Sequence, residues 1–290
     1  MAPIKSHILQ TLDGYQLTLH YPALDHPRAV CVIANAMAVK QTYYRNFQMW
    51  LAERNVACVT FDYRGIGASR PDSLKNFPAR LEDWGHQDLD AVLRFAMSTY
   101  PDVQICQMGH SIGAQLAAYC PASKRVDRFL FIAGQVGDIT HWPRGLRPGF
   151  RFVMSTVLPL ACRISGYFPG KRLGIFGDIP KGVALDWAKW CRTKGYFLGT
   201  KAGEALGKLQ APVLSISFSD DRYAPYSAVQ TLLDAFGSPS KIHRHIDPKS
   251  LGQKAVGHFG FFRSSHSETL WPQALEWICQ SQQDPVTAPR

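Results

Sequence analysis

Gly109-His110-Ser111-Ile112-Gly113 places a serine between two glycines, each separated from it by one residue. The segment Gln104–Met108 before it reads as a short buried strand, and Ala114–Tyr119 after it as the start of a helix. A sharp strand-to-helix turn of this kind holds a serine in a strained conformation that leaves no space for neighbouring side chains, and glycine supplies that space. A helix beginning just beyond directs backbone N–H groups toward developing negative charge. The chemistry implied is nucleophilic attack on a carbonyl carbon. A serine hydroxyl is a weak nucleophile near neutral pH, so it needs an adjacent base that is itself oriented by a third group. Downstream, Ser219-Asp220-Asp221-Arg222-Tyr223-Ala224-Pro225 puts two carboxylates just past a strand. Then Val256-Gly257-His258-Phe259-Gly260 puts a histidine in a glycine-flanked loop before the last helix.

The elements that must position these residues alternate between strand and helix. His7–Thr11 and Tyr15–His20 flank Asp13-Gly14, a dipeptide that turns a hairpin. Ala29–Ala34 and Val56–Phe61 are continuous apolar runs, as expected of strands covered on both faces. Helical spacing marks Tyr43–Arg54 and the stretch from about Glu82 to Thr99. After the serine turn come the strand Phe129–Ala133 and, much later, the strand Pro212–Phe218, the helix Tyr226–Phe236, the strand Lys241–Ile246 and a closing helix, Glu268–Gln280. This alternation predicts an α/β fold with a mainly parallel, doubly wound sheet. Residues 1–137 and 208–280 form its core. The interruption at 138–207 reads as a helical lid, with amphipathic pieces at Phe150–Cys162 and Val183–Thr193, and 281–290 as a loose polar tail. A lid inserted here would cover the carboxyl ends of the strands, where open α/β sheets bind ligands. Eleven basic residues against four acidic ones give the lid a balance of +7.

Composition excludes several alternatives. The chain of 290 residues carries 46% hydrophobic and 19% charged residues, a soluble globular balance. No apolar run is long enough to span a bilayer, and residues 1–7 lack a secretory signal, so a cytoplasmic protein is expected. The net charge of +10 comes from scattered residues without a Lys/Arg cluster, which argues against nucleic acid. Seven cysteines without paired spacing predict free thiols rather than disulfides or a zinc site. His243 and His245 lie on one face of a strand without a third ligand, so no metal is expected. His110 reads as packing beside the serine turn. Asp62 and Arg64 read as loop supports, and Asp88 and Asp90 as exposed or capping helix positions.

The chain resembles the α/β-hydrolase superfamily, and within it bacterial hydrolases related to serine aminopeptidases and monoacylglycerol lipases. The resemblance runs from Leu9 to Cys279 and rests on four motifs: Asp62-Tyr63-Arg64-Gly65-Ile66-Gly67-Ala68-Ser69, the serine turn, Ser219–Pro225, and Gly257-His258-Phe259-Gly260-Phe261-Phe262. It implies a triad of Ser111, Asp221 and His258, in the family's chain order of Ser, acid, His. Asp221 is selected because the superfamily commonly carries its acid four residues before a proline; Asp220 then supports the loop. Where many relatives carry His-Gly-aromatic, this chain has Asn35-Ala36-Met37. Position by position, the oxyanion hole falls on the backbone N–H groups of Met37 and Ile112. The resemblance implies no metal or organic cofactor and a small-molecule acyl substrate, with an ester as the leading choice and a thioester or amide also open. Two other functions stay open. One is an acyltransferase using the same acyl-enzyme, and the other a small-molecule binding protein of low turnover. Oligomeric state is not legible.

Overall fold

Apolar runs without a polar break can satisfy their backbone groups only inside a sheet covered on both sides, and such runs make the centre of this molecule. A computed structural model describes residues 2–175 and 177–281. Its strands are β1 (Ile4–Gln10), β2 (Gln16–Pro22), β3 (Ala29–Ala34), β4 (Val56–Phe61), β5 (Ile105–His110), β6 (Arg128–Ile132), β7 (Tyr167–Phe168), β8 (Ile179–Pro180), β9 (Val213–Phe218) and β10 (Lys241–Ile246). Eight of them form one sheet in the order β1-β2-β4-β3-β5-β6-β9-β10. β1 pairs antiparallel with β2, and β2 with β4; from β4 to β10 every neighbour is parallel. The expected hairpin closes at Gly14, whose φ of 85° belongs to the left-handed region open to glycine.

Alternation along β3 sends Val30, Val32 and Ala34 to one face and Cys31 and Ile33 to the other. The first face packs on the helix Asp90–Thr99 through Val92, Leu93 and Ala96. The second packs on Arg45–Ala52 and Trp271–Cys279 through Phe47, Leu51, Ala274 and Ile278. The seven cysteines are free, and six of them are buried.

Asp88 and Asp90 are neither exposed nor capping. They are 0% and 2% exposed, inside a helical run that widens to a π-helix at Trp84–Leu89. Arg64 donates to Asp88 from its backbone N–H at 2.9 Å and from Nε at 2.7 Å, and its Nη1 reaches Asp13 Oδ2 at 2.6 Å. Asp90 accepts from the Ala122 N–H at 2.7 Å and from Arg94 Nε at 2.6 Å. Arg94 is the i+4 neighbour on the same helix, but Arg64 and Ala122 come from distant elements, and the periodicity of the helix gives no sign of them.

The insertion between β6 and β9 holds the helices Arg147–Phe152, Leu158–Ser165, Lys181–Arg192 and Lys201–Leu206. It also contains the two-residue pair β7–β8, which the sequence reading did not anticipate. Arg80 Nε meets Asp186 at 2.8 Å and Arg70 Nη1 meets Asp178 at 2.9 Å. Trp190 stacks on Tyr119 at 5.4 Å, and Tyr196 donates to Gln115 Oε1 at 3.0 Å. Only Ser281 of the polar tail lies within the described residues.

Candidate active site

β5 runs two residues further than its apolar pattern suggests, carrying Gly109 and His110 into the sheet opposite Phe131 and Ile132. The chain then turns at Ser111, whose φ of 54° and ψ of −117° are unusual for a residue with a side chain. The Ser111 N–H donates to the Ile132 carbonyl at 3.0 Å, which fixes the turn against β6. Both motif glycines are required by space. A Cβ at Gly113 would lie 2.0 Å from the Ala34 carbonyl oxygen, and one at Gly109 would lie 2.5 Å from the Ala114 Cα. The helix that follows is short, Ile112–Gln115, and continues as a 3₁₀ turn through Ala118.

Asp221 follows β9 and is 5% exposed. Its Oδ2 meets His258 Nδ1 at 2.7 Å, while its Oδ1 accepts from the N–H groups of Tyr223 at 2.8 Å and Ala224 at 3.1 Å. Asp220 points elsewhere, accepting from the N–H groups of Val256 at 2.9 Å and Gly257 at 3.0 Å. One carboxylate therefore orients the histidine ring, and its neighbour holds the loop that carries the histidine. Among the described residues Ser111 Oγ makes no hydrogen bond, to His258 or otherwise. Bonds of this kind often close only with substrate in place.

His110 joins the two arms. Its Nε2 meets the His258 carbonyl at 2.9 Å and its Nδ1 meets the Tyr44 hydroxyl at 2.9 Å. The Tyr44 oxygen also accepts from the Ala36 N–H at 2.9 Å. A carbonyl can only accept, so Nε2 carries the proton, Nδ1 accepts from Tyr44, and the chain of donors is closed. Burial, with the nearby His258 adding to it, pushes the His110 pKa down to about 3, so the ring is neutral. Sequence reading assigned this residue to packing alone. Its position directly before the serine was the available signal, but Tyr44 and the His258 carbonyl are remote in the chain.

The Asn35-Ala36-Met37 segment is held by different means from a glycine loop. Asn35 Nδ2 donates to the Phe61 carbonyl at 2.6 Å, and the left-handed residue falls at Ala38, with φ of 60°, rather than at Ala36. Among the described residues the N–H groups of Met37 and Ile112 have no hydrogen-bond acceptor. Asp62 supports the neighbouring loops, accepting from the N–H groups of Gln41 at 2.8 Å and Ala68 at 2.9 Å.

Two other features lie nearby. A cavity of about 770 Å³ beside Asp221 is lined by Trp142, Arg144, Arg147, Arg222, Tyr226 and His245 among others. His243 and His245 both contact Ser217 Oγ at 2.8 Å, and among the described residues no group of His, Cys, Asp or Glu is arranged to hold a metal ion.

Residues 25–165 match the family model described as serine aminopeptidase, S33. No curated protein matches the chain. Among solved structures, the chain is similar to a putative hydrolase from Agrobacterium vitis, with 14% identity, a TM-score of 0.65, and 95% of this chain and 99% of that one covered. It is also similar to a soluble variant of monoglyceride lipase from Saccharomyces cerevisiae in complex with a substrate analogue, at 12% identity and a TM-score of 0.65, with 96% and 94% covered. A Pyrococcus furiosus esterase aligns at 13% identity and a TM-score of 0.61, with 96% and 90% covered.

Proposed function

Since residues 25–165 match the serine aminopeptidase model and the chain has the fold of α/β hydrolases, we propose that it is a serine-dependent acyl hydrolase. The 2.7 Å contact of His258 Nδ1 with Asp221, at the end of the sheet that also carries the strained turn of Ser111, is the observation that carries this reading. Ser111 Oγ attacks the carbonyl carbon of an ester, and His258 Nε2 takes the hydroxyl proton as the C–O bond forms. Asp221 holds the ring with Nδ1 protonated and stabilises the imidazolium. The unpartnered N–H groups of Met37 and Ile112 supply hydrogen bonds to the oxyanion. His258 then gives its proton to the leaving alcohol, and the C–O bond to that alcohol breaks. Water, deprotonated by the same ring, releases the acid and restores Ser111. Desolvation strengthens each of these interactions, and the insertion at 138–207 acts as the lid that provides it.

A fluorophosphonate probe together with a panel of p-nitrophenyl esters from acetate to palmitate tests this reading. Ser111→Ala is expected to abolish labelling and to cost on the order of a millionfold in turnover with the fold retained. A purified variant that keeps more than a few per cent of the activity removes Ser111 from the mechanism. Rapid labelling with product appearing only when an acceptor alcohol is added would reassign the chain as an acyltransferase. Absence of labelling would reassign it as a binding protein.

A further inference from the structure

The helical run Arg147–Ser165 has two apolar faces, and the fold uses one of them. Met154, Leu158 and Cys162 are buried. Val153, Val157, Leu160 and Ile164 recur at intervals of four, three and four residues, which keeps them together on another side of a helix. They are 40%, 39%, 54% and 75% exposed; elsewhere in the insertion Phe152, Leu173 and Ile175 are exposed too, and so is Leu146 at the cavity beside Asp221. Among the described residues thirteen large hydrophobic side chains are exposed to this degree, and eight of them fall within 146–175. Apolar residues exposed singly are ordinary, whereas a contiguous patch marks a surface that meets something.

Charge identifies what it meets. From residue 139 to 177 there is no Asp or Glu, while the segment carries Arg151, Arg163, Lys171 and Arg172, together with Arg144 and Arg147, which line the cavity beside Asp221. Among the described residues none of these six makes an ion pair. We propose that this face docks on an anionic lipid bilayer, with the apolar stripe in the interfacial region and the basic side chains on lipid headgroups. A second copy of the chain would set like charge against like, so self-association through the stripe is disfavoured. No helix among the described residues is long and apolar enough to cross a membrane, so the helix lies along the surface rather than through it.

Co-sedimentation of the full chain with phosphatidylcholine vesicles, with and without phosphatidylglycerol, tests the proposal. Binding is expected to the phosphatidylglycerol vesicles at low salt, to weaken in high salt, and to be slight with phosphatidylcholine alone. Leu160→Ser with Ile164→Ser should lower the partition coefficient about tenfold or more. Arg163→Gln should lower it about fivefold, the equivalent of one basic contact. These side chains are exposed, so the variants stay folded, which circular dichroism checks. Ser111→Ala should bind as well as the parent chain, which separates this surface from the proposed acyl chemistry. The proposal is overturned by absence of binding, by equal binding to both vesicle types, or by light scattering that reveals a dimer abolished by the paired serine substitutions.

Discussion

The turn at Ser111 is held by close contacts on every side, whereas along 146–175 the chain leaves large apolar side chains in solvent. At the first region, a Cβ added to either motif glycine would overlap backbone, the two carboxylates are fully engaged, and His110 is saturated on both ring nitrogens. Shape is set there by many partners at once, so single substitutions have nowhere to relax. At the second region, one face of a helix is tied to the core while a neighbouring face has no partner among the described residues. A site that must hold atoms to within fractions of an ångström needs the first kind of construction. A surface built to meet a deformable partner does not.

Substitutions can sharpen this contrast. Beyond the loss expected on removing Ser111, the largest effect should come from Asp221→Asn, on the order of ten-thousandfold in turnover, because an amide favours the wrong imidazole tautomer. Asp220→Asn should cost far less, since that carboxylate holds the loop rather than the ring. Side-by-side kinetics that reversed the order would exchange the two roles.

Gly113→Ala should destabilise the fold by about 3 kcal/mol or more, measured by urea denaturation, because the added methyl meets the Ala34 carbonyl of the neighbouring strand. A smaller loss would mean that the turn can relax and that the packing is looser than its contacts indicate.

His110 makes the tight region sensitive to acid. Its folded pKa is lowered from 6.5 to about 3, so between these values the unfolded chain binds a proton that the folded chain does not. Stability is therefore complete above 6.5 and is lost as pH falls through the window, at up to about 1.4 kcal/mol per pH unit. Comparing urea midpoints at pH 7 and pH 4 should give a smaller drop for His110→Gln than for the parent. Equal drops would assign the acid lability to other groups.

The smallest effect belongs to the insertion. Ile164→Ser should change stability by no more than about 0.5 kcal/mol, since the side chain is 75% exposed. A larger loss would mean that the exposed face contributes to the fold and would weaken the contrast itself.

Several features were legible in the amino-acid order because their causes are local. Runs such as Ala29–Ala34 and Val56–Phe61 match their strands residue for residue, since an unbroken apolar run of that length has few other ways to bury its backbone. The serine turn was legible from its spacing, and Gly109 answers to the nearby Ala114, although Gly113 answers to Ala34 on a strand remote in sequence. The preference for Asp221 over Asp220 came from resemblance and not from spacing. The geometry separates them through groups that lie thirty-five or more residues downstream.

Sequence by itself therefore determined the alternating α/β architecture, and it sets a serine, a pair of carboxylates and a histidine in order along the chain. Tertiary structure alone decided that Asp88 and Asp90 are buried beside Arg64 and Ala122, and that His110 bridges Tyr44 to the His258 loop. It also decided which of two apolar helix faces the core would take. Periodicity reports that a side chain is suited to burial; whether another element arrives to cover it depends on the whole path of the chain.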